Sequence, residues 1–318
     1  MTFIKDLQDG SHIVSHYFCK DKQQLMTKNG KDYLKLTLED KTGVINAMVW
    51  DIGPQIGSFE KGDIIKIDAK ASVYNDALQL TVSRLRRSQP GEYQVSDFFR
   101  TSREDSESIY QRLLMLVDSI SDPGLKKLVR FFCVDNEKMV ERLKQHPAAK
   151  NIHHGYMGGL LEHMVSVTGL ALALKQQYID LDRDLLVAGG LLHDIGKLVE
   201  LEPLPMGDYS NPGRFLGHIS IGFQMVHEAG QKIRELDPAK LMQLEHMILS
   251  HHGEREYGSP VVPITKEAMA LHLADYSDSK MKQVEEAIES DLTDGEWTSY
   301  NRPLERYFYK PDGKNENR

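Results

Sequence analysis

The sequence predicts a multidomain chain, a small all-β barrel followed by an all-α domain, and three observations carry that prediction. Apolar residues alternate with polar ones up to about residue 87, then recur at helical spacing from about residue 106 onward. Turn-forming clusters punctuate the first stretch at close intervals, as short strands require. The charge balance also divides: residues 1–90 hold 13 Lys and Arg against 11 Asp and Glu, whereas the remainder holds 26 against 36. The expected boundaries are a barrel over 1–90, a linker over 91–105, a helical domain over 106–300 and a C-terminal tail over 301–318.

The strands come first. Lys31-Asp-Tyr-Leu-Lys-Leu-Thr-Leu, Val44-Ile-Asn-Ala-Met-Val-Trp50 and Ile64-Ile-Lys-Ile-Asp-Ala alternate in polarity, among five strand-like runs between Ile13 and Leu85. Lys28-Asn29-Gly30-Lys31, Asp40-Lys41-Thr42-Gly43, Lys61-Gly62-Asp63 and Tyr74-Asn75-Asp76 supply the turns. So short a β segment must close to hide its edges, which fits a Greek-key barrel of the OB type, with an SH3-like barrel as the competitor. Tyr33, Trp50 and Tyr74 offer aromatic faces, and Lys31, Lys35, Arg84 and Arg86 offer positive charge, the combination that binds single-stranded nucleic acid. The competing role for Trp50 is to fill the barrel.

The polar stretch through Ser-Gln-Pro-Gly and Thr101-Ser-Arg-Glu-Asp-Ser reads as linker and helix cap. Helices are expected over 108–120, 125–145, 158–178, 183–199, 217–235, 239–252 and 265–290. The last residues, from Asp312, read as a frayed end. A net charge of −8 argues against a basic nucleic-acid coat protein, and Cys19 and Cys133 are too few for a disulfide framework or a thiolate zinc site. No run is long enough to span a membrane and the first ten residues carry charges, so the expectation is a cytoplasmic protein without membrane partners.

Eleven of the thirteen histidines fall between His146 and His272. On a helix His163 shares a stripe with Val167, Leu170 and Leu174, so it faces the core. His193 and Asp194 sit in Leu191-Leu-His-Asp-Ile-Gly-Lys197, expected on a helix beginning near Asp182, with Gly189 and Gly190 one turn earlier allowing another helix to come close. Asp275 follows Ala268 and Leu271 on an apolar stripe, where an ionised carboxylate needs a cationic partner. A metal ion would neutralise both carboxylates and gather the imidazoles at once. Lys197 lies on the face of His193 and Asp194, where its ammonium would meet a phosphate oxygen; a helix-end lysine facing the macrodipole is the plainer alternative.

His163, the His193-Asp194 pair and Asp275, in that order, together with Gly158-Gly-Leu-Leu-Glu-His163, Gly217-His218-Ile-Ser-Ile-Gly222 and Ser250-His-His-Gly253, resemble the motifs of the HD-domain metal-dependent phosphohydrolases. The resemblance covers about 150–280. It implies one metal held by His163, His193, Asp194 and Asp275, and a second bridged by Asp194 and held by His218 and a histidine of the 246–252 helix. His251 is the expected ligand there, being on the stripe of Met247 and Leu244 and placed as the family's second-site histidine is. His246 and His252 remain as substrate contacts, as do His153 and His154 ahead of the first motif.

An OB-type barrel followed by an HD domain resembles the YhaM family of 3′-to-5′ exoribonucleases over nearly the whole chain. That resemblance implies hydrolysis of single-stranded RNA, and of single-stranded DNA, from the 3′ end to nucleoside 5′-monophosphates, with Asp194 and Lys197 in catalytic roles. It also implies manganese or cobalt; the donor set alone would equally accept iron, nickel or zinc. A homo-oligomer is compatible with the sequence. The alternatives are an HD phosphohydrolase of nucleotides or cyclic dinucleotides, although its Gly-Tyr-Pro signature is absent, and a single-stranded DNA or replication-origin binding protein with a vestigial site.

Overall fold

The computed structural model describes residues 1–75, 77–99, 104–148, 156–202, 207–291, 293 and 295–310. The chain divides after Thr101 into two compact units. In the first, five strands, β1 (His12–Met26), β2 (Asp32–Asp40), β3 (Gly43–Val49), β4 (Ile64–Tyr74) and β5 (Ala77–Arg87), close into a barrel of order β1-β2-β3-β5-β4. The β3–β5 contact that closes it is parallel and the other pairings are antiparallel. Strand β1 serves two neighbours: residues 12–18 pair with β4 and residues 18–26 with β2, the register shifting between Cys19 and Asp21. Such an irregularity bends a strand, which a small barrel needs.

Alternation fills the barrel. Leu34, Leu36 and Leu38 point inward from β2 while Lys35 points out, and Tyr17, Ile65, Ile67 and Leu80 complete the core. Each fully buried Leu or Ile contributes about 1.5–3 kcal/mol relative to exposure. The turn after β2 is tied by the buried Asp40, whose carboxylate accepts from the amides of Ile4 (2.6 Å), Thr42 (2.7 Å) and Gly43 (3.2 Å). Part of the stretch expected as linker belongs to this unit: Phe98 is buried with Phe18 and Ile64, flanked by Tyr93 and Phe99, and the Lys41 amide donates to the Asp97 carbonyl. Three aromatics in seven residues gave that segment apolar area to bury.

The second unit is helical: α1 (Ser106–Asp118), α2 (Pro123–Cys133), α3 (Glu137–Gln145), α4 (Gly159–Gln177), α5 (Arg183–Leu192), α6 (Lys197–Glu200), α7 (Asn211–Gly230), α8 (Pro238–Ser250) and α9 (Lys266–Glu289). Seven starts are capped by a side chain accepting an orphan amide, from Asp105, Asp122, Asn136, Asp182, Ser210, Asp237 and Thr265. The Asn136 cap divides the helix expected over 125–145 into α2 and α3, and Ser210 with Pro212 starts α7 earlier than the expected residue 217. Helix α5 is apolar on all sides and touches α1, α2, α4, α8 and α9, which makes it the axis of the core.

Residues 301–310, expected in the C-terminal tail, fold back: Trp297 bridges to Tyr309, and the nearly buried Lys310 ammonium lies 2.7 Å from the Asp291 carboxylate. The stretch read as frayed lies outside the described residues. No described helix is long and apolar enough to cross a membrane.

Candidate active site

Five elements deliver the predicted side chains to one place in the second unit. His163 comes from α4, His193 closes α5, Asp194 follows it, His218 comes from α7, His251 and His252 follow α8, and Asp275 comes from α9. The expectation that His193 and Asp194 lie inside a helix running to 199 is corrected: α5 ends at Leu192, and α6 restarts at Lys197 after a turn. That turn lets Asp194 swing away from the helix face. The expected stripe holds except at one position: Val167 is buried and Leu174 packs against the core, but Leu170 is 38% exposed, with Ala171 buried beside it. Gly190 earns its place, because a Cβ there would lie 2.9 Å from the Cα of Thr168; its absence lets α4 and α5 cross with the rings of His163 and His193 5.2 Å apart.

Asp194 sits at the centre with its two oxygens facing different groups. Its Oδ2 lies 3.3 Å from His163 Nε2 and 3.4 Å from His193 Nε2, while Asp275 Oδ1 lies 3.2 Å from His163 Nε2. Its Oδ1 lies 3.4 Å from His218 Nε2 and 3.7 Å from His251 Nε2. His163, His193 and Asp275 offer ligand atoms within 4.8 Å of one another, and so, separately, do His218, His251 and His252. Lys197 Nζ lies 2.7 Å from Asp194 Oδ2.

All five imidazoles are fixed through Nδ1, which leaves Nε2 for a ligand. Asp278 holds His163 (2.8 Å), the Gly190 carbonyl holds His193 (3.0 Å), Glu200 holds His218 (3.0 Å), the Ile248 carbonyl holds His251 (2.7 Å) and the Tyr257 carbonyl holds His252 (2.9 Å). Because each partner only accepts, each Nδ1 donates. The Nε2 atoms of His163 and His193 then face each other at 3.2 Å, close enough that a proton or a metal cation must lie between them. Asp194 Oδ1, His218 Nε2 and His251 Nε2 are buried and make no hydrogen bond. Orphaned acceptors converging from imidazole and carboxylate fit a metal ion, whose ligands must be deprotonated and oriented from behind in this way.

The ionisation states show what a metal would displace: burial would lower His163, but hydrogen bonding to Asp194, Asp275 and Asp278 outweighs it and raises the ring well above its ordinary value, so a cation bound there takes the place of a proton. Burial would raise the Asp194 carboxyl, but the Lys197 ammonium and the His193 and His163 rings outweigh it and hold it well below the usual carboxylate range. Asp275 is likewise lowered against its burial by hydrogen bonding to His163. Burial lowers His251 strongly and His252 as well, keeping both neutral and able to donate a lone pair.

Two carboxylates behind the histidines escaped the sequence reading. Asp278 was findable, since it lies three residues after Asp275 on the same helix and faces the same way. Glu200 carried no such signal. His252, expected against substrate, joins His218 and His251, whereas His246 belongs to neither group and accepts the Ile264 amide at 3.0 Å. His272, not singled out from the sequence, packs its ring against Gly253 and bonds through Nδ1 to the His251 carbonyl at 2.9 Å. His153 and His154 lie outside the described residues.

On the barrel, Tyr33 and Trp50 form a tilted pair with centroids 4.9 Å apart, and Trp50 is 44% exposed, so it does not fill the core. Lys31, just ahead of β2, and Lys35 on it flank Tyr33 in sequence, with Lys31 held 3.0 Å from Asp51. Tyr74 stands at the tip of the β4–β5 hairpin, while Arg84 and Arg86 pair with Asp68 and Lys66 toward its other end. Arg86 is also engaged by Glu92 at 2.6 and 2.8 Å.

A family model described as the HD domain matches residues 160–280, and one described as an OB-fold nucleic acid binding domain matches 19–87. Two solved structures resemble 29% of this chain each. One is the second OB-fold domain of replication protein A from Methanococcus maripaludis (18% identity, 98% of that chain, TM-score 0.24), and the other is a murine DNA binding protein bound with double-stranded DNA (16%, 50%, TM-score 0.23). A protein of Geobacillus sp. (strain WCH70) named 3′-5′ exoribonuclease YhaM is 34% identical over 305 residues, covering 95% of this chain and 93% of that protein. With the histidine and aspartate groups lying inside the matched HD region and the barrel from Cys19 onward inside the matched OB region, the chain belongs to the YhaM family of 3′-5′ exoribonucleases.

Proposed function

We propose that this protein is a metal-dependent 3′-to-5′ exoribonuclease that shortens single-stranded RNA, and single-stranded DNA, to nucleoside 5′-monophosphates. The observation that carries the reading is the division of Asp194, one oxygen toward His163 and His193 and the other toward His218 and His251. Such a carboxylate suits two divalent cations, one with His163, His193 and Asp275, the other with His218, His251 and His252. We take these to be manganese or cobalt, although mixed imidazole and carboxylate donors also suit iron, nickel or zinc. The chemistry the cations supply is activation of water and offset of charge on the phosphate.

The chain's own residues do the positioning. Asp194 and Asp275 hold negative charge in a buried site without taking up protons, and the Nδ1 partners stop the rings from turning. The Lys197 ammonium, burial notwithstanding, is kept charged by Asp194 and stands where a phosphate oxygen would take it as a second partner. Attack on the terminal phosphodiester expels the 3′-oxygen of the penultimate nucleotide, so the released nucleotide keeps its phosphate at the 5′ position. A 5′-labelled RNA should shorten as a ladder, and a 3′-labelled RNA should give labelled mononucleotide from the first turnover. Cleavage of a circular RNA into fragments would overturn the exonucleolytic reading.

The barrel captures the strand through Tyr33 and Trp50, with Lys31 and Lys35 beside them. Trp50→Ala should weaken binding of a long oligonucleotide by about 1–3 kcal/mol in fluorescence anisotropy and leave the β signal in circular dichroism intact. Loss of that β signal would instead mean the ring supports the barrel. A cytoplasmic setting suits Cys19 and Cys133, both buried and unbridged.

A further inference from the structure

Helix α7 is broken from within. Gly217 has φ 69° and ψ 156°, outside the helical region, so the helix restarts at His218. Each restart leaves amides with no carbonyl one turn back. Here the orphan amide of His218 donates to Glu200 Oε1 at 2.9 Å, and Nδ1 of the same residue donates to the same oxygen at 3.0 Å. Two N–H groups of one residue therefore converge on one buried carboxylate. Glu200 is itself fixed on both sides: its amide donates to Gly196, its carbonyl accepts from Ser210 at 2.9 Å, and Gly213 packs against its backbone so closely that a Cβ there would lie 2.8 Å from the Glu200 carbonyl carbon.

We propose that Glu200 is a positioning residue of the second metal group. It fixes the tautomer and direction of His218, aiming Nε2 at Asp194 Oδ1, and it places a negative charge behind the ring that strengthens the imidazole as a donor. The inference rests on the reading that His218, His251, His252 and Asp194 hold a cation. Within that group Glu200 has a role the other backing partners lack, because His251 and His252 are held by neutral backbone carbonyls. The corresponding charged partner in the first group is Asp278, behind His163, so loss of Glu200 should be felt at one ion and not at the other.

The test is titration of the metal-depleted full-length chain with cobalt(II), followed by calorimetry and visible absorption, with melting of the metal-free protein measured alongside. The wild type should take up two equivalents, and His218→Ala identifies which of them belongs to the second group. Glu200→Gln keeps an amide oxygen to cap the His218 amide but removes the charge. It should melt with the wild type in the absence of metal and bind the first equivalent unchanged, while the equivalent that His218→Ala removes weakens about tenfold to a hundredfold. Glu200→Ala should weaken the same equivalent further; should it fail to fold, Glu200→Gln still decides the matter. Wild-type affinity for both equivalents in Glu200→Gln would overturn the proposal and leave Glu200 as a helix cap, and so would equal weakening of both. A wild type that takes up no cobalt would remove the metal reading itself, a result distinguishable because it appears before any variant is made.

Discussion

Asp194→Asn should lower kcat/KM on single-stranded RNA by about a thousandfold or more, because one side chain serves both groups. At about 1.4 kcal/mol per tenfold, a loss of about 4 kcal/mol of transition-state stabilisation suffices, a modest share of what paired cations supply. The amide keeps the volume of the carboxylate but is neutral, so it cannot draw two cations, and it leaves the Lys197 ammonium without its 2.7 Å partner. Helical circular dichroism should be almost unchanged, while metal content measured after gel filtration should fall. Full turnover in this variant would rule out the two-ion arrangement. Its stability should also respond less to added metal, since a ligand stabilises a folded chain only in proportion to its binding.

Gly196→Ala should be the most damaging single-methyl change near the site. A Cβ at residue 196 would collide with the carbonyl of His218 and lie 2.6 Å from the Gly222 amide, and both obstacles are backbone. Relief requires α7 to move away from the turn that carries Asp194. Overpacking of this kind costs about 3 kcal/mol or more, a lowering of melting temperature by roughly 6–12 °C for a unit of this size. Because the displaced residue is His218, turnover should fall further than the loss of stability explains at a temperature where the variant is fully folded. A variant that melts with the wild type and keeps its turnover would show that the crossing tolerates a side chain, and the packing account would fail.

The site was legible where one helix or one short motif carried the signal. Asp275 announced itself as a carboxylate on an apolar stripe, and Leu-Leu-His-Asp-Ile-Gly-Lys was specific as it stood. What stayed hidden depended on how the chain breaks. The end of α5 at Leu192 and the restart at Lys197 free Asp194 to face two ways, yet Ile195 and Leu198 continue an apolar pattern through the turn, so periodicity ran on to 199. Glu200 acquires its role only because Gly217 interrupts α7, and nothing in the local pattern at 200 marks it. The two-unit architecture was readable from the change of period, whereas the burial of Phe98 was missed because neighbouring Pro, Gly and Ser residues had marked that stretch as connector. On the barrel, residue type alone grouped Tyr74 with Arg84 and Arg86, and the strand register sets Tyr74 at the opposite end of the β4–β5 hairpin from the two arginines.

The pairing of Asp291 with Lys310 bears on where this chain can be cut. The last long helix ends at Glu289, and a clone designed from helices alone would stop there or soon after. Ending at residue 300 would leave the Asp291 carboxylate, with a side chain only 3% exposed, deprived of Lys310 and of the returning strand at Phe308 that bonds to Thr298. Thr293 and Ser299 would still bond Asp291, so the loss is that of the ion pair and of the contacts made by residues 301–310. A chain ending at residue 300 should therefore melt below the full-length chain, and equal melting temperatures would show that the returning segment adds nothing to stability.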